Sequence, residues 1–571
     1  NLDLIDRVSR GLAEMTFGGF GYKRGFVMNS VKAGAGDLLF AGEANLYNGP
    51  WSNPDEVRKL NGMLRYSQGT ATDGFSATAM AYGNRWNSTD QIPLRAITSG
   101  ILGRFDAEDP TDGGRANRFS LSTRVAQTDD LGLWKANAYV IKSKLDLYNN
   151  FTYYLSDPTL GDQFHQHDDR VVAGGAVSRT FAGSFAGVPT ETTIGLQTRY
   201  DNINVALTTT YQRGFLGNIR SDKVQEASVA AYVQNTMRWT DWFRTTIGWR
   251  GDYYNATVNS LFDANNSGKA SASLGSPKFS MTFGPFYNTE LFVGAGMGMH
   301  SNDARGSTIR EVPVDRVQDP NAASDPLSAS PLLVRTKGAE AGIRTRLIPG
   351  LDSTFSVFML DQASEIVFSG DGGDTEASRA SRRFGIEWTN KYKPASWVTL
   401  DTDVAWSRAR FVGFDQDQAD VYASLAGYPE AQIGNAPGNY VPGAPTLIAS
   451  AGITLGEATG WFTGLRWRYL GERPLTEDNA FRSPATSVFN GRIGYRFENG
   501  WRIQLDALNL FNAKADQITY AYGSLLKTDN LFAMCGSGSP PPAAVCSTGV
   551  MDRVLHPIEP LAIRLTLAGR F

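Results

Sequence analysis

Counting back by twos from the C-terminus, Phe571, Gly569, Leu567, Leu565, Ile563 and Leu561 alternate with Arg570, Ala568, Thr566, Arg564 and Ala562. A period of two marks a strand with one apolar and one polar face. The same alternation runs through Phe489, Gly491, Ile493, Tyr495 and Phe497, and again through Trp501, Ile503, Leu505 and Ala507. Between those two stretches lies Glu498-Asn499-Gly500, whose Asn-Gly is expected to supply the positive φ angles of a tight hairpin. Further strands are predicted at 461–470, 445–455, 397–409, 382–392, 352–362 and 341–347. Their connections alternate in length. Those at 348–351, 393–396, 456–460 and 498–500 are short, whereas 363–381, 410–444, 471–486 and 512–560 are long.

Short turns on one rim and long loops on the other are what an up-and-down transmembrane β-barrel requires. Nine strands occupy the 231 residues from 341 to 571, about 26 per strand, and the whole chain at that spacing holds about 22. The predicted fold class is therefore all-β: a transmembrane antiparallel up-and-down barrel of about 22 strands, with short periplasmic turns and long extracellular loops. So wide a lumen cannot be filled by side chains of the wall. Arg466, Arg468, Arg492, Arg496, Asp401 and Asp403 are expected to face it, with Phe462 and Ile448 as apolar exceptions on the same face. Trp461, Trp467, Tyr469 and Trp501 read as an interfacial girdle. A soluble propeller is the alternative, but repeats of about 40–50 residues are absent.

Composition narrows the classes further. With 571 residues, 42% hydrophobic and 11% aromatic, the chain is no disordered segment, and two cysteines make no disulfide scaffold. A net charge of −3 from 54 basic and 57 acidic residues supplies no global basic field, so nucleic acid is not an expected partner. No run of about 18 apolar residues exists, which agrees with a mean hydropathy of −0.28.

Three stretches resemble the TonB-dependent receptors, the plugged transporters of the bacterial outer membrane. Glu226 to Tyr254 resembles a strand pair ending in a Gly-Leu-Arg-Tyr-Asp type motif, here Gly248-Trp249-Arg250-Gly251-Asp252; Ile503 to Asn512 carries an Asn-Leu-Phe-Asn run; Phe571 matches the C-terminal aromatic read by the membrane-insertion machinery. The resemblance spans the chain from about Leu12. It implies residues 12–571 as barrel and residues 1–11 as the end of a plug or linker, with Asn1–Gly11 resembling the last plug strand. Most of a plug and a TonB-binding box are not in this sequence. The implied function is active uptake of a scarce nutrient, with a ferric siderophore ranked before other metal chelates, cobalamin, saccharides or peptides. The implied partners are the TonB complex, outer-membrane lipid and lipopolysaccharide, and a small ligand, on a monomeric barrel. A passive channel, or the barrel partner of a separate plug, is the alternative.

Enzyme motifs are missing: there is no GxSxG, HExxH, Walker A or CxxC, and Gly294 to Gly298 lacks the helix a phosphate cradle needs. No enzyme and no required cofactor are expected. His165 and His167, two apart and followed by Asp168 and Asp169, are a candidate transition-metal site or a solvated polar loop. Asp415, Asp417 and Asp420 could hold Ca²⁺ or simply face water. Cys535 and Cys546 are expected to form a disulfide, with a copper site alongside Met534 as the other reading. His300, Asn302, Asp303 and Arg305 fall where a strand passes into a loop and are candidate ligand contacts at the mouth.

Overall fold

Backbone amides in hydrocarbon have no water to bond, so a sheet can cross a bilayer only if its two edges meet. In the computed structural model they do: Leu12–Gly18 pairs antiparallel with Ala562–Arg570, and Gly11 and Phe571 exchange both backbone hydrogen bonds at 2.7 and 3.0 Å. The structure describes residues 4–313, 326–369, 374–377, 379–426, 432–529 and 549–571.

The closed sheet has 22 strands. They are β1 Leu12–Gly18, β2 Lys23–Ala33, β3 Gly36–Tyr47, β4 Val57–Gly69, β5 Gly74–Asn87, β6 Gly113–Asp129, β7 Gly132–Asn149 and β8 Phe164–Phe185. Then come β9 Val188–Tyr211, β10 Gly214–Thr240, β11 Phe243–Ser260, β12 Gly268–Phe286, β13 Thr289–Ser301, β14 Leu333–Thr345 and β15 Leu351–Gln362. The last are β16 Ser381–Ala395, β17 Val398–Phe411, β18 Leu447–Gly456, β19 Gly460–Leu470, β20 Thr486–Arg496, β21 Trp501–Leu508 and β22 Ala562–Arg570. All nine strands predicted between 341 and 571 are present. The first strand begins at Leu12, but residues 4–11 form no strand: they follow the inner wall, with Asp6 on Arg65 at 2.6 Å and the Val8 amide on Ser30.

Alternate side chains point out to lipid or in to the lumen. Leu561, Ile563, Leu565 and Leu567 are exposed on the outside, while Thr566 and Ala568 are buried on the inside. The wall charges face inward and find partners there. Arg466 meets Asp401 at 2.7 Å, Arg492 meets Asp506 at 3.2 Å, and Asp403 accepts from Ser450. Phe462 also lies inside, where it is covered by the Arg496 guanidinium at 3.9 Å and itself covers Gly494. Trp461 and Trp501 stand exposed at the turn rim.

Two details differ from the sequence expectation. In the 497–500 turn only Gly500 takes a positive φ, +89°; Asn499 instead caps the turn by accepting from the Trp501 amide. On the loop rim two connections are tight, residues 19–22 and 212–213. The second is short because β9 and β10, at 24 and 27 residues, carry the sheet itself far beyond the ten or so residues that span hydrocarbon.

The long loops carry their own structure. Helices α1 Leu94–Thr98, α2 Ala304–Thr308 and α3 Gln416–Ser424 lie in them, as do the pair Ile366–Ser369 with Asp374–Ala377 and a sheet of Asp516–Ser524, Val550–Pro557 and Ile92–Pro93. Trp51 packs on His556 at 4.5 Å between ring centres and donates to Asp55 at 2.7 Å, tying the 48–56 loop to that sheet.

Two outcomes follow. Gly385 has no room for a Cβ, which would fall against the Trp406 carbonyl and 2.9 Å from Phe358. Gly385→Val is expected to destabilise the barrel by about 1–3 kcal/mol, read as a lower temperature for loss of the folded band in unboiled gels. Burial, aided by repulsion from Glu559, pushes Asp55 up to about 7, and burial pushes His556 down to about 4. Asp55 ionises near its ordinary value, about pH 4, when unfolded but only near pH 7 when folded, so its contribution declines from about pH 4 to 7; neutral His556 works oppositely, its contribution growing from about pH 4 to 6.5. Asp55→Asn should therefore gain melting temperature relative to the native chain as pH rises from 4 to 7, then level off.

Candidate functional site in the barrel mouth

On a strand, residues two apart share a face, so an Arg-x-Asp triplet can pair with itself without disturbing the sheet. Three such triplets, and one in the reverse order, Asp168-Asp169-Arg170, sit on adjacent strands and face the lumen. Arg170 pairs with Asp168 on β8, Arg199 with Asp201 at 2.6 Å on β9, Arg220 with Asp222 at 2.6 Å on β10, and Arg250 with Asp252 at 2.9 Å on β11. Arg250 also donates across to Gln197 at 2.6 Å. Asp201, Asp222 and Asp252 are buried. Glu226 lies in the same inward row, opposite Asp201.

A fifth pair arrives from a loop. The segment between β13 and β14 folds onto the inner wall, where Ala304 and Leu332 pack on Ile203, Val224, Ala256 and Val258. Asp303 caps α2 by accepting from the Arg305 amide, and the Arg305 guanidinium bonds the same carboxylate at 2.7 Å. The Arg305 carbonyl accepts from Arg220. Burial alone would raise Asp303, but the Arg305 guanidinium holds its carboxyl below the usual range, and Asp303 in turn raises Arg305. Asn266, buried in the 261–267 loop, accepts the Arg310 and Glu311 amides and donates to the Glu311 carbonyl. The folded-in loop is thereby pinned to a neighbouring loop.

Of the four residues expected at the mouth, all lie there, but most of their polar atoms are spent internally. Asn302 donates to Pro331 at 2.6 Å and Asp303 serves Arg305. His300 Nε2 and Asn302 Oδ1 are buried without a hydrogen-bond partner. The triplets were readable as Arg-Tyr-Asp, Arg-Ser-Asp and Arg-Gly-Asp in the sequence. What the spacing alone does not give is their alignment on one inner wall.

His165 and His167 do share a face, but it is the outer one, in phase with lipid-exposed Val171 and Val177. Their carboxylate partner is Asp146, not Asp168 or Asp169: His167 Nδ1 lies 2.7 Å and His165 Nε2 3.2 Å from one Asp146 oxygen. Asp168 points inward to Arg170, and Asp169 pairs with Lys142. These three residues offer ligand atoms within 4.8 Å of one another, yet Arg115 at 3.0 Å and Lys144 at 4.0 Å already hold the other Asp146 oxygen and oppose a dication. Asp415 caps α3 and pairs with Arg379, and Asp420 accepts from Gln416. The Asp417 side chain and both Cys535 and Cys546 lie outside the described residues. Phe571 closes the barrel against Gly11, its ring exposed at the turn rim.

The family model described as TonB dependent receptor-like, beta-barrel, matches residues 46–510. The chain belongs to the TonB-dependent receptors. No curated protein matches it by sequence. Solved structures similar to this receptor include the siderophore receptor PiuA from Acinetobacter baumannii, at 12% identity and TM-score 0.75, covering 100% of this chain and 82% of that one. The ferric yersiniabactin uptake receptor FyuA from Yersinia pestis matches at 14% identity and TM-score 0.70, covering 100% and 81%. The copper transporter OprC matches at 16% and 0.68, covering 98% and 80%. The family is one of transporters and receptors, not enzymes.

Arg305→Ala leaves the half-buried Asp303 without its paired cation. A loss of about 1–3 kcal/mol, the usual cost of removing a charged hydrogen-bond partner, is expected to fall on residues 302–313, measured as faster protease cleavage there with the barrel band intact.

Proposed function

We propose that this receptor resides in the bacterial outer membrane and actively takes up a scarce nutrient chelate, a ferric siderophore before other metal chelates, cobalamin, saccharides or peptides. The carrying observation is the inner wall of paired arginines and carboxylates on β8 to β11, with Ala304 and Leu332 from the connection after β13 packed on it. Such a wall is hydrophilic and electrostatically self-satisfied, so a polar, hydrogen-bonding guest can exchange partners with it while apolar solutes gain nothing. The names of the similar structures, a siderophore receptor, a ferric yersiniabactin uptake receptor and a copper transporter among them, support the ranking. On this reading TonB supplies inner-membrane energy through a plug, and the receptor itself makes and breaks no bond.

The test is growth under iron limitation of a strain lacking its own receptors, given this receptor and a panel of ferric siderophores, with and without TonB. Rescue by one ferric siderophore, lost without TonB, is the expected result. Asp201→Ala should weaken that uptake about tenfold or more, the effect of losing one charge-assisted contact. Rescue that persists without TonB, together with sensitivity to large antibiotics, would instead make the barrel a passive channel.

A further inference from the structure

Two carboxyl groups in hydrogen-bond contact away from water do not both ionise near neutral pH; one of them keeps a proton. Asp90 and Asp112 are such a pair, near the two ends of the connection between β5 and β6. Asp112 is 1% exposed. Ser88 and Asn149 donate to Asp90 at 2.8 and 2.6 Å and favour its charged form, so Asp112 is the member that holds the proton and donates it to Asp90. Burial, then repulsion from Asp90 and Asp109, pushes Asp112 well above the usual carboxylate range. Among the described residues no basic side chain forms an ion pair with either carboxyl: the Arg213 guanidinium reaches the Asp112 carbonyl instead, at 2.8 Å.

The pair sits where three segments of the loop rim meet. Gln163, 2% exposed, donates to Asp112 at 3.0 Å and to Thr111 at 2.7 Å, while its Oε1 accepts from the Arg213 amide and from Thr210. Asn150 donates to Asp109, and the Ser88 amide donates to the Asp112 carbonyl. The 88–112 and 150–163 connections are thereby tied to the 212–213 turn between β9 and β10. In that turn Gln212 and Arg213 both take left-handed φ angles, +50° and +64°, which side chains other than glycine keep only where their surroundings hold them. The same two connections supply Ile92, Ala96 and Tyr153, which pack on Leu526 of the 509–561 connection. The other charged and titratable groups around the pair are Asp109 and Glu108 on its own loop, Arg95 of α1, Arg213, Tyr153 and, across Thr89, His556.

We propose that Asp90 and Asp112 form a proton-operated clasp on the mouth: one proton between them locks the 88–112 and 150–163 connections to the β9–β10 turn, and its loss releases them. Losing the proton leaves two negative charges in a buried site with no counter-cation. Their relief is for the loop to move into solvent, which breaks the bonds of Gln163 and Arg213 to Asp112. The clasp is at full strength below about pH 4, the ordinary carboxylate value of the unfolded chain, and weakens as pH rises toward the raised value of the pair. It does not depend on which nutrient is carried.

Hydrogen exchange, corrected for its intrinsic pH dependence, is followed on the folded receptor in detergent from about pH 5 to about pH 9. Protection of residues 88–112 and 150–163 is expected to fall roughly tenfold or more over that range, while the 261–267 loop holds. An infrared band of a protonated carboxyl should disappear with the same midpoint. Asp112→Asn, whose amide donates to Asp90 without titrating, should stay protected at both ends and lack the band. Glu108→Gln and Asp55→Asn, which remove other acids with raised values, should keep the step. Unchanged protection in the native chain, a band that titrates apart from it, or a step that survives Asp112→Asn would overturn the clasp. Protection restored by calcium at high pH would overturn it too, by making the pair a cation site.

Discussion

Every feature of this molecule depends on one constraint: within hydrocarbon, each peptide N–H and C=O must find its partner in the same protein. A 22-stranded sheet meets it by pairing β22 with β1, down to the reciprocal bonds of Gly11 and Phe571. Closure at that strand number leaves a wide lumen, and a wide lumen makes the inner wall a polar surface rather than a core. The hydrophobic clusters are accordingly small and sit within the loops, as around Ile92 and Tyr153, or where loops fold back on the wall, as Ala304 and Leu332 do on β9 to β11.

The pleat then sorts charges between two environments. Inward arginines have carboxylates beside them, two residues away on the same strand from β8 to β11 and on a neighbouring strand elsewhere, as in Arg24 with Glu14 and Arg466 with Asp401, so the wall's charges are met locally. Outward arginines stand at the two margins of the apolar belt and are paired there too, Arg179 with Asp129 at the turn rim and Arg382 with Asp361 and Arg115 with Asp146 at the loop rim. One residue type thus serves two surfaces, the polar lumen wall and the margins of the lipid-facing belt.

The strands and most turns were legible because their signals are local. A period of two names the faces, and short connections reveal the hairpins, as in Phe489 to Ala507. The candidate site was legible only in part. His300 to Arg305 could be placed at a strand end, but the fold of that loop onto Ile203 and Val224 joins residues some hundred positions apart. The His165 and His167 pair was placed correctly on one face with the wrong partners, because Asp146 comes from the neighbouring strand and Asp168 belongs to the opposite face.

By itself the amino-acid pattern determined the barrel class, the strand number, the alternation of lumen and lipid faces, and the family, since each follows from spacings of a few residues. Tertiary structure decided which face is inner where both positions are apolar, as at Val171 and Val172, and which charges meet across strands. Those outcomes hang on register between strands, and register is set by the closed hydrogen-bonded sheet as a whole, not by any one segment of the chain.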